Sequence, residues 1–139
     1  MSGSVAKPQP PTDRNESKTM GKKIIVIDDS DIVREQLGSS LRGAGYDVVE
    51  AADGVEGAEL IEQTPDCALV ICDVNMPRKN GIELLEGMNG RLASLPILML
   101  TTEGRPDLID RARKAGAKGW LVKPIKADLI LGVVRKLTA

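Results

Sequence analysis

A run of four β-branched residues at 24–27 (Ile-Ile-Val-Ile) is followed directly by two acids, Asp28 and Asp29. An unbroken apolar run of this length is typical of a strand that is buried on both faces, as in a parallel sheet covered by helices. Four further apolar runs lie downstream, at 48–49, 68–71, 97–100 and 120–122. We therefore predict five strands.

The segments between these runs show helical spacing. Val33, Leu37 and Leu41 follow one another at intervals of four residues, and the last segment carries Ile130 and Val134 in the same relation. Strands that alternate with amphipathic helices predict βα units. Five such units with right-handed crossovers form a doubly wound α/β fold with a parallel sheet.

Polar residues and glycines mark the expected helix ends. Ser30 or Asp31 is suited to cap the first helix, because a short polar side chain can accept a hydrogen bond from the first turn. Gly43 and Gly45 are suited to end that helix, and Gly116 to end the fourth, because glycine adopts the left-handed conformation that follows many helices.

Length and composition indicate one folded domain with a tail. The chain has 139 residues, of which 42% are hydrophobic, enough for one core. Residues 1–20 differ from the remainder, since Val5 is their only β-branched aliphatic residue. Such a segment buries too little apolar surface to offset its ordering entropy. We predict a flexible N-terminal tail at 1–20 and a folded domain at 21–139.

Charge and composition argue against several classes of protein. Nineteen basic and twenty acidic residues give a formal charge of −1, which disfavours nucleic-acid binding through a broad basic face. No apolar run approaches the roughly 18 residues of a membrane span, and no secretory signal is recognisable. The lack of histidine excludes Ser-His-Asp triads and histidine-ligated metals. Cys67 and Cys72 lie in apolar sequence, which favours a reduced, cytoplasmic location.

Polar residues follow four of the five predicted strands. The first strand is followed by Asp28 and Asp29, the third by Asp73, the fourth by Thr101 and the fifth by Lys123. Each residue alone has an ordinary alternative, since aspartate and threonine often cap helices and lysine is usually a solvated surface charge. Ligands of open α/β sheets bind outside the carboxyl ends of the strands, so we expect these five side chains to converge there.

Three neighbouring carboxylates need compensation, because they cannot all stay ionised without a counter-charge. One solution is shared protonation, and the other is a divalent cation such as Mg²⁺, which prefers oxygen ligands. A cation, a lysine and a hydroxyl around a carboxylate would suit a tetrahedral dianion. The pattern therefore indicates a phosphoryl-transfer site in which an aspartate acts as the nucleophile.

These residues resemble the receiver domain of bacterial two-component response regulators, in particular the single-domain CheY-like type. The likeness rests on Asp28-Asp29, on 73–77 (Asp-Val-Asn-Met-Pro), on 101–103 (Thr-Thr-Glu) and on 123–125 (Lys-Pro-Ile). It extends from about Lys22 to Leu137. The resemblance implies a flavodoxin-like (βα)5 fold with strand order 2-1-3-4-5 and helices on both faces.

The resemblance also implies a role for each site residue. Asp73 would accept a phosphoryl group from the phosphohistidine of a sensor histidine kinase or a histidine phosphotransfer protein. Asp29 and Asp73 would bind Mg²⁺ directly, Asp28 would bind it through water, and the backbone carbonyl of Asn75 would be a further ligand. Thr101 and Lys123 would each contact a phosphoryl oxygen, and the Lys123–Pro124 peptide bond would be cis.

Two further expectations from the resemblance concern signalling. Thr101 and the aromatic residue Trp120 would form a switch, although Tyr or Phe is more usual than Trp at that position. The alternative for Trp120 is a half-buried sheet residue with no signalling role. The face formed by the fourth helix, the fifth strand and the fifth helix would bind a downstream protein target. Leu129 and Leu131 would extend that face, and a homodimer through it is a further hypothesis.

Other residues near the phosphoacceptor have expected roles as well. Asn75 and Glu103 occupy the positions that tune hydrolysis of the aspartyl phosphate in this family, which predicts a short-lived phosphorylated form. Cys72 is expected to face the core, where a thiol without a cationic neighbour is unreactive.

Three functions stay open on the sequence. The first is a stand-alone receiver in chemotaxis-type or phosphorelay signalling, with no enzymatic activity beyond its own phosphoryl transfer and slow dephosphorylation. The second is a receiver excised from a larger regulator or hybrid kinase. The third is an Mg²⁺-dependent phosphatase with an aspartate nucleophile, which is disfavoured because Asn75 stands where such enzymes carry a second acid.

Overall fold

The computed structural model describes residues 21–76, 80–88, 95–102 and 104–139. The predicted tail at 1–20 and the expected tuning residue Glu103 therefore lie outside the described residues. Strands and helices alternate along the chain: β1 (Lys23–Ile27), α1 (Asp31–Gly43), β2 (Asp47–Ala51), α2 (Gly54–Gln63), β3 (Cys67–Asp73), α3 (Gly81–Glu86), β4 (Ile97–Thr101), α4 (Pro106–Lys114), β5 (Gly119–Val122) and α5 (Ala127–Thr138).

The five strands form one parallel sheet in the order β2-β1-β3-β4-β5. Its register brings the strand ends into line, since Ile27 pairs with Cys72, and Asp73 pairs with Leu100. The next strand continues the alignment, with Thr101 opposite Val122. The predicted α/β class and the 2-1-3-4-5 order are confirmed.

Hydrophobic cores lie on both faces of the sheet. Ile25 and Ile27 of β1 belong to the cluster that packs under α2, α3 and α4, whereas Ile24 and Val26 belong to the cluster under α1 and α5. This division follows from the two-residue period of a strand, which sends successive side chains to opposite faces. All four residues are completely buried, which explains why the run is apolar without alternation.

The helix ends follow the expected chemistry. The Ser30 hydroxyl accepts a hydrogen bond from the Val33 backbone N–H and caps α1. Helix α1 ends at Gly43, and Gly45 then adopts a φ of 98°. Gly116 follows α4 with a φ of 108°. These positive φ angles allow the chain to leave each helix and enter the next strand.

The two leucines expected to extend the partner face differ in exposure. Leu131 is half-buried and packs against the cluster under α1 and α5. Leu129 is 52% exposed. The part of Leu129 and Leu131 in a partner-binding face stays a prediction. No helix in the described parts of the chain has the length and apolar character needed to cross a bilayer.

Candidate functional site

Three carboxylates meet at the carboxyl edge of the sheet. Asp28 and Asp29 follow β1, and Asp73 is the last residue of β3, its neighbour. One oxygen from each lies within 4.8 Å of the others. Asp28 and Asp73 are buried and Asp29 is exposed. The cluster thus has two buried members and one that faces solvent.

Asp28 is held by a hydrogen bond at each carboxylate oxygen. Its Oδ1 accepts the Ser30 backbone N–H at 2.9 Å, and its Oδ2 accepts the Lys123 ammonium at 2.7 Å. Its own backbone N–H donates to the Ala51 carbonyl at 3.1 Å, which joins the loop after β1 to the end of β2. A carboxylate with both oxygens and its backbone N–H bonded is fixed in place, so Asp28 is a rigid part of the site.

Asp73 lies in a less compensated environment. Its Oδ2 is 3.5 Å from Lys123 Nζ, and its side chain is only 6% exposed. Burial and the nearby Asp28 charge raise the pKa of Asp73 to about 6, against the lowering effect of Lys123 and of a backbone hydrogen bond from Asn75. The carboxylate is therefore ionised at neutral pH but held at an energetic cost, which a further cation would relieve.

Lys123 reaches the cluster from the loop after β5. Burial alone would lower its pKa, but the hydrogen bond to Asp28 and the charges of Asp73 and Asp28 raise the pKa overall. Its backbone N–H donates to the Thr101 carbonyl at 2.7 Å, and the Lys123–Pro124 peptide bond is cis. The lysine is thus a permanent cation between two carboxylates at neutral pH.

Thr101 and Asn75 occupy the same edge of the sheet. Thr101 is the last residue of β4 and is completely buried. It stands one residue beyond Leu100, the partner of Asp73 in the sheet. Asn75 is exposed in the loop after β3. The structure thus places Thr101 and Asn75 on the chain segments that border Asp73, and their proposed roles remain predictions.

Trp120 lies on β5 opposite Met99 and packs against the core under α2, α3 and α4. Its indole Nε1 is buried and has no hydrogen-bond acceptor among the described residues. A cavity of about 190 Å³ adjoins it, lined also by Ala112 of α4. The side chain is half-buried in this conformation. This is consistent with a sheet residue that has no signalling role, and the proposed switch stays a prediction.

Cys72 precedes Asp73 and faces away from the site. It is completely buried and belongs to the core under α2, α3 and α4. Burial is the main cause that raises the pKa of its thiol, followed by the charges of Asp73 and Asp28. The thiol therefore stays protonated and inert, as the sequence predicts.

Two residues at the site were not identified from the sequence. Arg34, the fourth residue of α1, donates a hydrogen bond to the backbone carbonyl of Asp28. Gly81 begins α3 so close to Asp73 that an added Cβ would lie 2.3 Å from the Asp73 carbonyl oxygen. A basic residue just inside the first helix and a glycine at a helix start were the available signals, but both are common without any function.

The donor set is suited to a hard divalent cation. Three carboxylates offer oxygen ligands at one place, two of them buried, and Lys123 alone does not neutralise them. Mg²⁺ prefers one or two carboxylates together with waters, and the exposed Asp29 leaves room for water on the solvent side. The residues present thus fit a magnesium site.

Comparison with known proteins gives consistent matches. Residues 24–135 match the response regulator receiver domain family. The transcriptional regulatory protein PdtaR of Mycobacterium tuberculosis is 42% identical over 112 residues, which cover 78% of this chain and 53% of that protein. The chemotaxis protein CheY1 of Helicobacter pylori is 37% identical over 120 residues, which cover 79% of this chain and 97% of that protein.

A solved structure shows that the likeness extends to the fold. The chemotaxis protein CheY4 of Vibrio cholerae superimposes with a TM-score of 0.79 at 35% identity, and the match covers 84% of this chain and 98% of that one. The chain thus spans about half the length of PdtaR and nearly all of CheY1. With its strand order and its sequence in agreement, the chain belongs to the response regulator receiver domain family and is a CheY-like receiver of a two-component system.

Proposed function

We propose that Asp73 accepts a phosphoryl group from the phosphohistidine of a sensor histidine kinase or a histidine phosphotransfer protein. The observation that carries the proposal is the position of the Asp73 carboxylate, 3.5 Å from the Lys123 amine and within 4.8 Å of the acids after β1. A nucleophile with a cation on one side and metal-type ligands on the other matches what phosphoryl transfer needs, since positioning and charge neutralisation supply most of the catalysis.

The residues that would hold Mg²⁺ are Asp28, Asp29, Asp73 and the backbone carbonyl of Asn75. When bound, the ion neutralises the carboxylates and the negative charge on the phosphoryl oxygens. Asp28 is already hydrogen-bonded to Ser30 and Lys123, so it serves as a fixed outer support. Asp29 and Asp73 would then supply the direct carboxylate ligands, in the manner that the family resemblance implies.

The transfer itself needs only a nucleophile and groups that compensate the negative charge of the phosphoryl oxygens. A carboxylate oxygen of Asp73 forms a new P–O bond while the P–N bond of the phosphohistidine breaks, and the donor imidazole leaves with the electron pair. Lys123 pairs with one phosphoryl oxygen and the Thr101 hydroxyl donates to another. Hydrolysis reverses the modification: water attacks phosphorus, the P–O bond to Asp73 breaks, and inorganic phosphate leaves, at a rate that Asn75 and Glu103 tune. We assign the chain no activity on other substrates.

The phosphorylated form would signal through a protein partner. We propose that Thr101 and Trp120 respond to the phosphoryl group and alter the surface formed by α4, β5 and α5. The relatives support two settings, because one is a chemotaxis protein and the other a transcriptional regulator about twice as long. A receiver within a longer regulator is therefore the alternative to chemotaxis-type or phosphorelay signalling by the chain alone.

Intact-protein mass spectrometry tests the proposal directly. The chain is incubated with acetyl phosphate, with Mg²⁺ or with EDTA, beside an Asp73→Asn variant. We expect one added phosphoryl group on the wild type with Mg²⁺, and none with EDTA or on the variant. A phosphoryl group that appears on Asp73→Asn, or that appears equally in EDTA, would contradict the assignment of the acceptor or of the metal.

A further inference from the structure

Arg34 makes three polar contacts beside the acidic cluster. Its Nη1 donates to the Asp28 backbone carbonyl and its Nη2 to the Asp31 carboxylate, while its Nε lies 3.7 Å from Glu50 Oε1. The side chain is only 14% exposed, although Asp31 is 89% exposed. A guanidinium that reaches inward to a backbone carbonyl and is enclosed there has a fixed position, unlike a surface arginine with one ion pair.

The contact at Asp28 acts on the peptide that leads to Asp29. The Asp28 carbonyl belongs to the Asp28–Asp29 peptide group, which is planar, so fixing its oxygen also fixes the N–H and Cα of Asp29. The Asp28 side chain has its own hydrogen bonds to Ser30 and Lys123. The Asp29 side chain has no such support from the residues that the structure describes, so its placement depends on its backbone.

We propose that Arg34 is a positioning residue, which holds the Asp28–Asp29 peptide so that the Asp29 carboxylate is preorganised for Mg²⁺. This inference rests on the proposed function, because it names a determinant of metal affinity at the same site. Arg34 does not touch the reacting atoms. It acts through the backbone of its neighbour, as outer residues commonly do around metal ligands.

A charge effect alone predicts the opposite result, which makes the inference testable. Arg34 is a cation near a cation site, so its charge disfavours Mg²⁺, and its removal would tighten binding if electrostatics were its only influence. Its hydrogen bond to Asp28 favours binding, and removal would then weaken it. Arg34→Gln removes both the positive charge and the planar guanidinium group that makes the three contacts. Arg34→Lys keeps the charge but cannot reproduce three contacts from one planar group.

Arg42 provides a matched control on the same helix. Its Nη2 donates to Glu50 at 3.0 Å and to the Val48 carbonyl at 3.2 Å. Arg42 thus shares Glu50 with Arg34. Its backbone contact, however, is with Val48 of β2, whereas that of Arg34 is with Asp28. Arg42→Lys reports any effect that travels through Glu50 or through α1 in general.

The experiment is a calorimetric Mg²⁺ titration of the full chain, with urea unfolding in EDTA as a separate measure of stability. We expect Arg34→Lys and Arg34→Gln each to raise the Mg²⁺ dissociation constant about tenfold, and Arg42→Lys to leave it unchanged. In acetyl phosphate assays, the Mg²⁺ concentration at half-maximal rate should rise for both Arg34 variants, while the rate at saturating Mg²⁺ stays close to that of the wild type.

Other outcomes overturn the inference in identifiable ways. Unchanged affinity in Arg34→Lys, or tighter binding in Arg34→Gln, would show that Arg34 does not position the site. An equal loss in Arg42→Lys would place the effect in Glu50 or the helix. A wild type that binds no Mg²⁺ would overturn the metal part of the proposed function itself, and a wild type that binds with unaffected variants would overturn only the role of Arg34.

Discussion

Lys123 Nζ lies 2.7 Å from Asp28 Oδ2, although β3 and β4 lie between β1 and β5, the strands that these two residues follow. Asp28 is 1% exposed at its side chain and Lys123 is 15% exposed, so the ion pair is largely shielded from water. The same amine stands 3.5 Å from Asp73. One lysine from the edge strand therefore supplies the cation for two buried carboxylates on the central strands.

Replacing this cation should slow phosphorylation. In Lys123→Gln, the incoming phosphoryl group loses its charged partner, and we expect the rate with acetyl phosphate and Mg²⁺ to fall about 100-fold. The rate is measured from the phosphorylated fraction by intact mass over time. Lys126→Gln is the control, because Lys126 is exposed at the start of α5. Equal rates for wild type and Lys123→Gln would remove Lys123 from the mechanism.

The raised pKa of Asp73 predicts a pH-dependent gain in stability for Asp73→Asn in EDTA. The pKa is about 6 in the folded chain against 3.8 ordinarily, so protonation of Asp73 stabilises the fold at low pH, and this contribution is lost as the pH rises through about 6. At pH 7.5 we expect the free energy of unfolding of Asp73→Asn to exceed that of the wild type by up to about 3 kcal/mol.

The pH profile separates this effect from a simple change in packing. The advantage of Asp73→Asn, measured by urea unfolding, should shrink as the pH falls through about 6 and disappear near pH 4. Asp47→Asn is the control, because Asp47 is exposed at the start of β2. A stability difference that is independent of pH between 4 and 7.5 would mean that the Asp73 carboxyl is not strained in the folded chain.

Much of the fold could be predicted from local sequence. Unbroken apolar runs such as 24–27 predict central strands because both of their faces are covered, and the structure confirms this for β1, β3 and β4. The meeting of the strand-end residues also follows from topology, since parallel strands share a carboxyl edge. Cys72 could be placed in the core because it stands one residue before the strand's last position.

The features that were not predicted depend on contacts made in the folded chain, and residue type alone does not reveal them. The spacing of Leu85 and Met88 suggests a continuous helix, but α3 ends at Glu86 and Met88 is buried beyond it. Leu92, which would extend the pattern, lies outside the described residues. Leu131 packs against the cluster under α1 and α5, and Arg34 contacts the loop after β1 at the Asp28 carbonyl. None of these relations is encoded in periodicity.

Gly81 should be intolerant of any side chain. A Cβ there would lie 2.3 Å from the Asp73 carbonyl oxygen and 2.8 Å from Met99 Cε, so backbone would have to move. We expect Gly81→Ala to lower the free energy of unfolding by about 1–3 kcal/mol and to slow phosphorylation, because α3 begins against the residue that carries the acceptor.

A second glycine provides the contrast for this substitution. Gly132 lies within α5, where an added Cβ would meet no atom within 4 Å. Gly132→Ala should stabilise the chain by about 0.5–1 kcal/mol, because alanine restricts the unfolded chain and favours helix. Both variants are compared by urea unfolding. A Gly81→Ala variant as stable and as rapidly phosphorylated as the wild type would show that α3 shifts without cost.

The buried indole N–H of the half-buried Trp120 makes a distinctive prediction about substitution by phenylalanine. Its Nε1 finds no acceptor among the described residues, and a buried unpaired donor costs about 1–3 kcal/mol. Trp120→Phe removes that donor while it keeps an aromatic ring against the core, so the loss of packing is largely offset. We expect its stability to stay within about 1 kcal/mol of the wild type, whereas Trp120→Ala should lose about 3–5 kcal/mol.

The comparison needs a probe other than tryptophan fluorescence, because Trp120 is the only tryptophan of the chain. Circular dichroism during urea unfolding serves for all three proteins. A loss in Trp120→Phe close to that of Trp120→Ala would mean that the indole N–H has a bonding partner, and the adjoining cavity of about 190 Å³ is large enough to hold water in that role. A near-neutral Trp120→Phe would instead show that packing, and not hydrogen bonding, holds the ring in this position.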